Sequence, residues 1–132
     1  MKGRCACGGV TVTVPERPEY LNSCNCTLCF RLGGLWGYYA PDEVTVEGET
    51  KAFLRTDIEQ FLATNFCPTC SATVSWTSLE PYDRMGVNMR LFDPEDLLGI
   101  PIRFPNNRDD TGEGDRPPPR HEEVPFALDA PY

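Results

Sequence analysis

The sequence predicts a mainly β domain with short helical turns and a Pro-rich C-terminal tail. Two observations carry this. Thirteen prolines and eleven glycines interrupt the 132 residues often, so the elements between them are short. Apolar residues alternate with polar ones along several of those stretches, the pattern of strands with one buried face, and no long helical period appears. The length suits one ordinary domain. Apolar residues make up 40% of the chain, slightly sparse for an independent core, so help from bound metal or from pairing with a second copy is in keeping with the composition.

The elements follow in order. "VTVTV" (Val10–Val14) alternates throughout and reads as a half-buried strand. "PERPEY" is a polar loop. Leu35–Ala40 is an aromatic-rich strand, and "EVTVEGE" is a short strand running into a turn at Gly48. "KAFLR" and "EQFLATNF" are expected to pair antiparallel across a turn near Thr56 and Asp57. "SATVSW" and "RMGVNMRL" continue the pattern. "DPEDLLG" reads as one helical turn, with Asp93 as N-cap and Pro94 at the first helical position. "IPIRFP" is a last extended segment. From Asn106 the composition shifts: residues 106–132 carry seven acidic and three basic groups and five prolines. The organisation expected is therefore a domain over residues 1–105 and an acidic, Pro-rich tail over 106–132, disordered or extended across the domain or a partner.

Twenty acidic against twelve basic residues give a formal charge of −8. No Lys/Arg cluster appears, which argues against nucleic acid as a partner, and an acidic chain gains nothing from an anionic membrane surface. "MKGRCACGGV" lacks the apolar core of a signal peptide, and no apolar run approaches the roughly 20 residues of a membrane span. A cytoplasmic setting is expected, where thiols stay reduced and seven cysteines read as metal ligands or catalysts rather than disulfides.

Those cysteines fall into three groups: Cys5 and Cys7; Cys24, Cys26 and Cys29; Cys67 and Cys70. Residues i and i+2 of an extended chain point the same way, so Cys-x-Cys can aim both thiolates at one ion. Cys-x-x-Cys does so at a tight turn, which Pro68 shapes in "FCPTC". Two such pairs, Cys5/Cys7 and Cys67/Cys70, complete a closed four-cysteine zinc site, and binding there contributes to folding on the order of 10 kcal/mol in zinc-finger peptides. The remaining three would hold a second zinc with one position open, the arrangement that separates catalytic from structural zinc. Two other readings remain open: a redox Cys-x-x-Cys, and a ribbon from Cys26, Cys29, Cys67 and Cys70 that leaves three cysteines unused.

"GRCACGGV", then "CNCTLC", then "FCPTC" resembles the glutathione-dependent formaldehyde-activating enzyme family, also called Gfa-like or centromere-protein-V-like proteins, over residues 3 to about 100. The family pattern is G-x-C-x-C-G, C-x-C-x-x-C and F-C-x-x-C-G. The resemblance implies strongly twisted, zinc-pinned antiparallel sheets (a β-tent). It implies two zinc ions per chain, one structural on Cys5, Cys7, Cys67 and Cys70 and one catalytic on Cys24, Cys26 and Cys29. It also implies carbon–sulfur lyase chemistry on a thiol–aldehyde adduct such as S-hydroxymethylglutathione, with a small thiol, glutathione included, as the partner. The chain departs from the pattern at Ser71, where the family has glycine, at Phe30, where it has a basic or polar residue, and in its long acidic ending.

Several side chains are secondary candidates. Trp36, Tyr38 and Tyr39 either line a pocket beside the cluster or belong to the core. Arg31 either meets a substrate carboxylate or is exposed. Asp57 and Glu59 read as turn and edge charges. His121 reads as a solvated surface histidine. Were it, or a neighbouring chain, to close the second site, the alternative would follow: a non-catalytic zinc-binding domain that docks a protein partner.

Overall fold

The computed structural model describes residues 1–59 and 61–130. Gln60, inside the strand expected over Glu59–Phe66, and residues 131–132, at the end of the expected tail, lie outside the described residues. The strands, in chain order, are β1 (Lys2–Arg4), β2 (Thr11–Thr13), β3 (Leu21–Asn22), β4 (Trp36–Tyr39), β5 (Thr45–Glu47), β6 (Lys51–Phe53), β7 (Leu62–Phe66), β8 (Thr73–Ser78), β9 (Met85–Asn88), β10 (Pro101–Phe104) and β11 (His121–Pro125). Two one-turn helices interrupt them, α1 (Cys29–Leu32) and α2 (Pro94–Leu97). The protein is thus mainly β, as the alternation predicts.

The strands make two sheets. One is three-stranded, ordered β1-β2-β5, and the other eight-stranded, ordered β11-β10-β3-β4-β9-β8-β7-β6. All pairs are antiparallel except β10 with β3, which run parallel through Ile102↔Leu21 and Arg103↔Asn22, so the large sheet is mixed. Strand β9, central between β4 and β8, is buried at every position. In the small sheet Val10, Val12 and Val14 are buried while Thr13 is exposed, the side-to-side alternation of a pleated strand. Gly3 lets β1 lie against the turn after β9, because a Cβ there would stand 2.8 Å from the Leu91 carbonyl oxygen. One core joins the two sheets: Cys5, Val12 and Val14 from the small one share it with Cys67, Val74, Val87, Met89 and Ile102.

The C-terminal segment contributes to this architecture. Strand β11 pairs antiparallel with β10 through Pro101↔Pro125 and Ile102↔Val124. Arg120 N–H donates to the Phe104 carbonyl (3.0 Å) and Phe126 N–H to that of Ile100 (2.9 Å), while Val124 and Phe126 pack against the core. Residues 121–125 therefore form the edge of the large sheet, covering β10.

Candidate metal centres and flanking clefts

Cys5 follows β1 into a tight turn closed by Gly8 N–H on the Cys5 carbonyl (3.0 Å). Backbone N–H groups of Val10 and Gly9 then point at the Cys5 and Cys7 sulfurs (3.2 and 3.4 Å). The β7–β8 turn is closed by Ser71 N–H on the Cys67 carbonyl (2.8 Å) and brings up Cys67 and Cys70. Sγ of Cys7 stands 3.6 Å from that of Cys5 and 3.7 Å from that of Cys67. All four sulfurs lie within 4.8 Å of one another. This cluster joins the small sheet to the large one.

Of the other three cysteines, Cys24 and Cys26 occupy the loop between β3 and α1, and Cys29 opens α1. Cys26 N–H points at Cys24 Sγ (3.5 Å) and Cys29 N–H at Cys26 Sγ (3.3 Å). Gly33, in the left-handed conformation, ends α1 by donating its N–H to the Cys29 carbonyl (3.0 Å). The three sulfurs lie within 4.8 Å of one another, and among the described residues no histidine, carboxylate or further cysteine joins them. Asn107 Nδ2, from the C-terminal segment, donates to Cys24 Sγ at 3.2 Å.

Thiols this close share few protons. Hydrogen bonds from Cys24 and Cys29 hold the Cys26 thiol far below its ordinary range, while Cys24 and Cys26 push Cys29 up and Cys26 pushes Cys24 up. In the four-cysteine cluster the backbone N–H of Ala72 lowers Cys70 to about 6. Cys7, although the Gly9 N–H favours its thiolate, is driven up to about 11 by Cys5 and Cys67. A cation in place of the shared protons removes this conflict, and sulfur donors in fours and threes suit a soft divalent ion. Both clusters could hold a metal ion.

Two clefts meet at the three-cysteine cluster. The smaller, about 80 Å³, has Cys26 and Cys29 on one wall, with Trp36, Leu62, Trp76 and Arg55 facing them. Arg55 is held by a two-pronged ion pair with Asp57, Nε and Nη2 each 2.8 Å from a carboxylate oxygen. It also donates to Thr27 Oγ1 (3.0 Å). The guanidinium holds Asp57 at about 2, so that carboxylate stays ionised. The larger cleft, about 510 Å³, is lined by Cys24, Cys29, Phe30, Arg90, Arg108 and Arg120. Gly34 separates it from the buried Trp36 ring, which a Cβ there would meet at 2.4 Å.

Of the secondary candidates, Trp36 reaches the smaller cleft and Glu59 lies on its wall. Tyr38 instead stands in an aromatic row between Tyr20 and Trp76, its hydroxyl accepting from Asn22. Tyr39 is buried and donates to the Glu16 carbonyl (2.9 Å). Arg31 is exposed and turns back to the Thr27 carbonyl. His121 lies exposed on β11 with its ring edge-on to Phe104, away from both clusters. Sequence reasoning singled out neither Arg55, Arg90, Arg108, Arg120 nor Asn107. Their separations along the chain carry no local signal; only the fold gathers them.

The sequence profile described as glutathione-dependent formaldehyde-activating enzyme matches residues 1–101. The chain belongs to that family. Three solved chains also match. One is a crystal structure of a Rhodobacter sphaeroides protein, 23% identical with a TM-score of 0.63, over 77% of this family member and 99% of that chain. That likeness speaks for the fold. No curated protein matches. In this family member all seven cysteines are free thiols, and among the described residues no helix is long and apolar enough to cross a membrane.

Proposed function

We propose that this protein is a zinc-dependent, carbon–sulfur lyase-like enzyme acting on a thiol–aldehyde adduct such as S-hydroxymethylglutathione. In this reading Cys5, Cys7, Cys67 and Cys70 hold a structural zinc, and Cys24, Cys26 and Cys29 a catalytic one. The observation that carries it is the contrast between the clusters. Four thiols converge beside the buried core, whereas three converge where two clefts open. A site meant only to brace the fold gains nothing from an open side. The family's description supplies the substrate class. Seven free thiols are in keeping with a cytoplasmic, reducing setting.

Zinc on three thiolates supplies a Lewis acid that keeps a bound thiol ionised at neutral pH. The chain's residues do the rest. Trp36, Leu62 and Trp76 keep bulk water from the small cleft. Arg55, fixed by Asp57, presents a cation on its wall where negative charge on an aldehyde oxygen would be stabilised. Addition would form one C–S bond as the carbonyl π bond breaks, and the proton released to solvent when the thiol ionises would return from solvent to that oxygen; elimination would reverse both. Asp57, committed to Arg55, is unsuited as the base.

Exchange NMR on equimolar glutathione and formaldehyde tests this. Zinc-loaded protein should accelerate adduct exchange above the uncatalysed rate, and a C24S/C26S/C29S variant should not. Equal rates with and without protein would reject this substrate and leave the zinc-binding docking domain as the reading.

A further inference from the structure

The larger cleft has an unusual charge for its setting. In a chain of twenty acidic and twelve basic residues, three arginines line it and no carboxylate does. The ion pairs among the described residues engage Arg55, Arg103 and Arg116, leaving Arg90, Arg108 and Arg120 without a carboxylate partner there.

Two of the three are held in place by other bonds. Arg90 Nε donates to the Gly33 carbonyl (3.0 Å). Arg120 donates to Ser23 Oγ (3.2 Å) and the Pro105 carbonyl (3.3 Å), and its guanidinium stands 5.5 Å from the Phe104 ring centroid. The Arg108 side chain makes no hydrogen bond to the described residues, while its backbone N–H is fixed on Asn25 Oδ1 (3.1 Å). Asn25 also donates to Asn106 Oδ1 (3.1 Å), beside the Asn107 bond to Cys24. The stretch bearing Arg108 is thus latched to the loop that carries the three cysteines. Arg108 and Arg120 both lie beyond residue 101, where the family match ends.

Guanidinium groups gathered with no carboxylate among them repel one another, and an anion between them relieves that repulsion. Their planar forks fit carboxylate oxygens two at a time. We propose that this cleft is a carboxylate subsite, in which Arg108 and Arg120 of the C-terminal segment select thiols, or thiol adducts, that carry a carboxylate. The subsite deepens the proposed function by naming what holds the substrate's far end, while its binding can be measured without turnover.

The probe is S-methylglutathione, which keeps both carboxylates and has no free thiol, titrated calorimetrically into zinc-loaded protein. Binding should weaken about tenfold in R108Q, the loss of one charge-assisted pair. It should weaken further in R108Q/R120Q, fall as salt rises, and vanish for the probe's dimethyl ester. Arg120 also braces Ser23, so R108Q alone decides if the double variant unfolds. No binding to wild type, equal binding in R108Q, or equal binding of the ester overturns the subsite. Displacement of the probe by stoichiometric inorganic phosphate would also overturn it, assigning the cleft to phosphate. Adduct exchange with unaltered probe binding in R108Q would keep the proposed function and sink the subsite. Arginine-dependent binding without exchange would do the reverse.

Discussion

Ser71 has φ 66, the one left-handed non-glycine among the described residues. The conformation is imposed by the turn, since Ser71 N–H must reach the Cys67 carbonyl while Cys67 N–H takes the Ala72 carbonyl (3.0 Å). A Cβ in that region costs roughly 1–2 kcal/mol, which glycine avoids at some expense in unfolded-state entropy. S71G should therefore stabilise the protein by about 0.5–1 kcal/mol, raising Tm by roughly 2–4 °C. Thermal unfolding checks it, and a lower Tm would mean that the side chain supports the turn. At this scale the sequence was legible where spacing dictates geometry. Cys-x-Cys and Cys-x-x-Cys are local, and the thiols of each cluster converge as those spacings suggest. It was silent on Arg90, Arg108 and Arg120, which meet across the fold.

Among the elements, Val10–Val14 is read correctly from sequence because one face is buried, which imposes a period of two; "SATVSW" overlaps β8, although there Val74 and Ser75 are both buried. Strands β1, β3 and β11 escaped because their neighbours define them. Strand β3 has only two residues, held between β4 and β10, and β11 buries little beyond part of Val124, so it shows no alternation. Its pairing with β10 nevertheless carries Val124 and Phe126 onto the core. A chain ending after Arg120 should lose about 2 kcal/mol of apolar burial and roughly 5 °C or more in Tm. It should still bind metal fully, since every cysteine lies between residues 5 and 70. An unchanged Tm would show that β11 does not hold to β10 in solution.

For the whole molecule, the decisive feature is that Cys5 and Cys7 belong to the small sheet's end and Cys67 and Cys70 to the large sheet's β7–β8 turn. A metal there ties two sheets whose own contact is one modest shared core. Such a site is worth on the order of 10 kcal/mol, comparable to the entire net stability of a domain, about 5–15 kcal/mol. The two clusters should therefore respond differently to loss. C24S/C26S/C29S should remain folded with one zinc per chain by elemental analysis, whereas C67S/C70S should fail to fold cooperatively. A folded C67S/C70S protein would sink the structural assignment. Acid should reproduce the second case. Cys70 has its folded-state value lowered from 9.0 to about 6, so the stability its thiolate contributes is present above the unfolded value and drains as pH falls through 6. A bound cation depresses that value further, because each ligand must give up its proton. Zinc release followed with a chromogenic chelator should accordingly begin below about pH 6 and coincide with loss of β-sheet circular dichroism. Release of one zinc with the sheets intact would instead identify the three-cysteine site as the one that empties first.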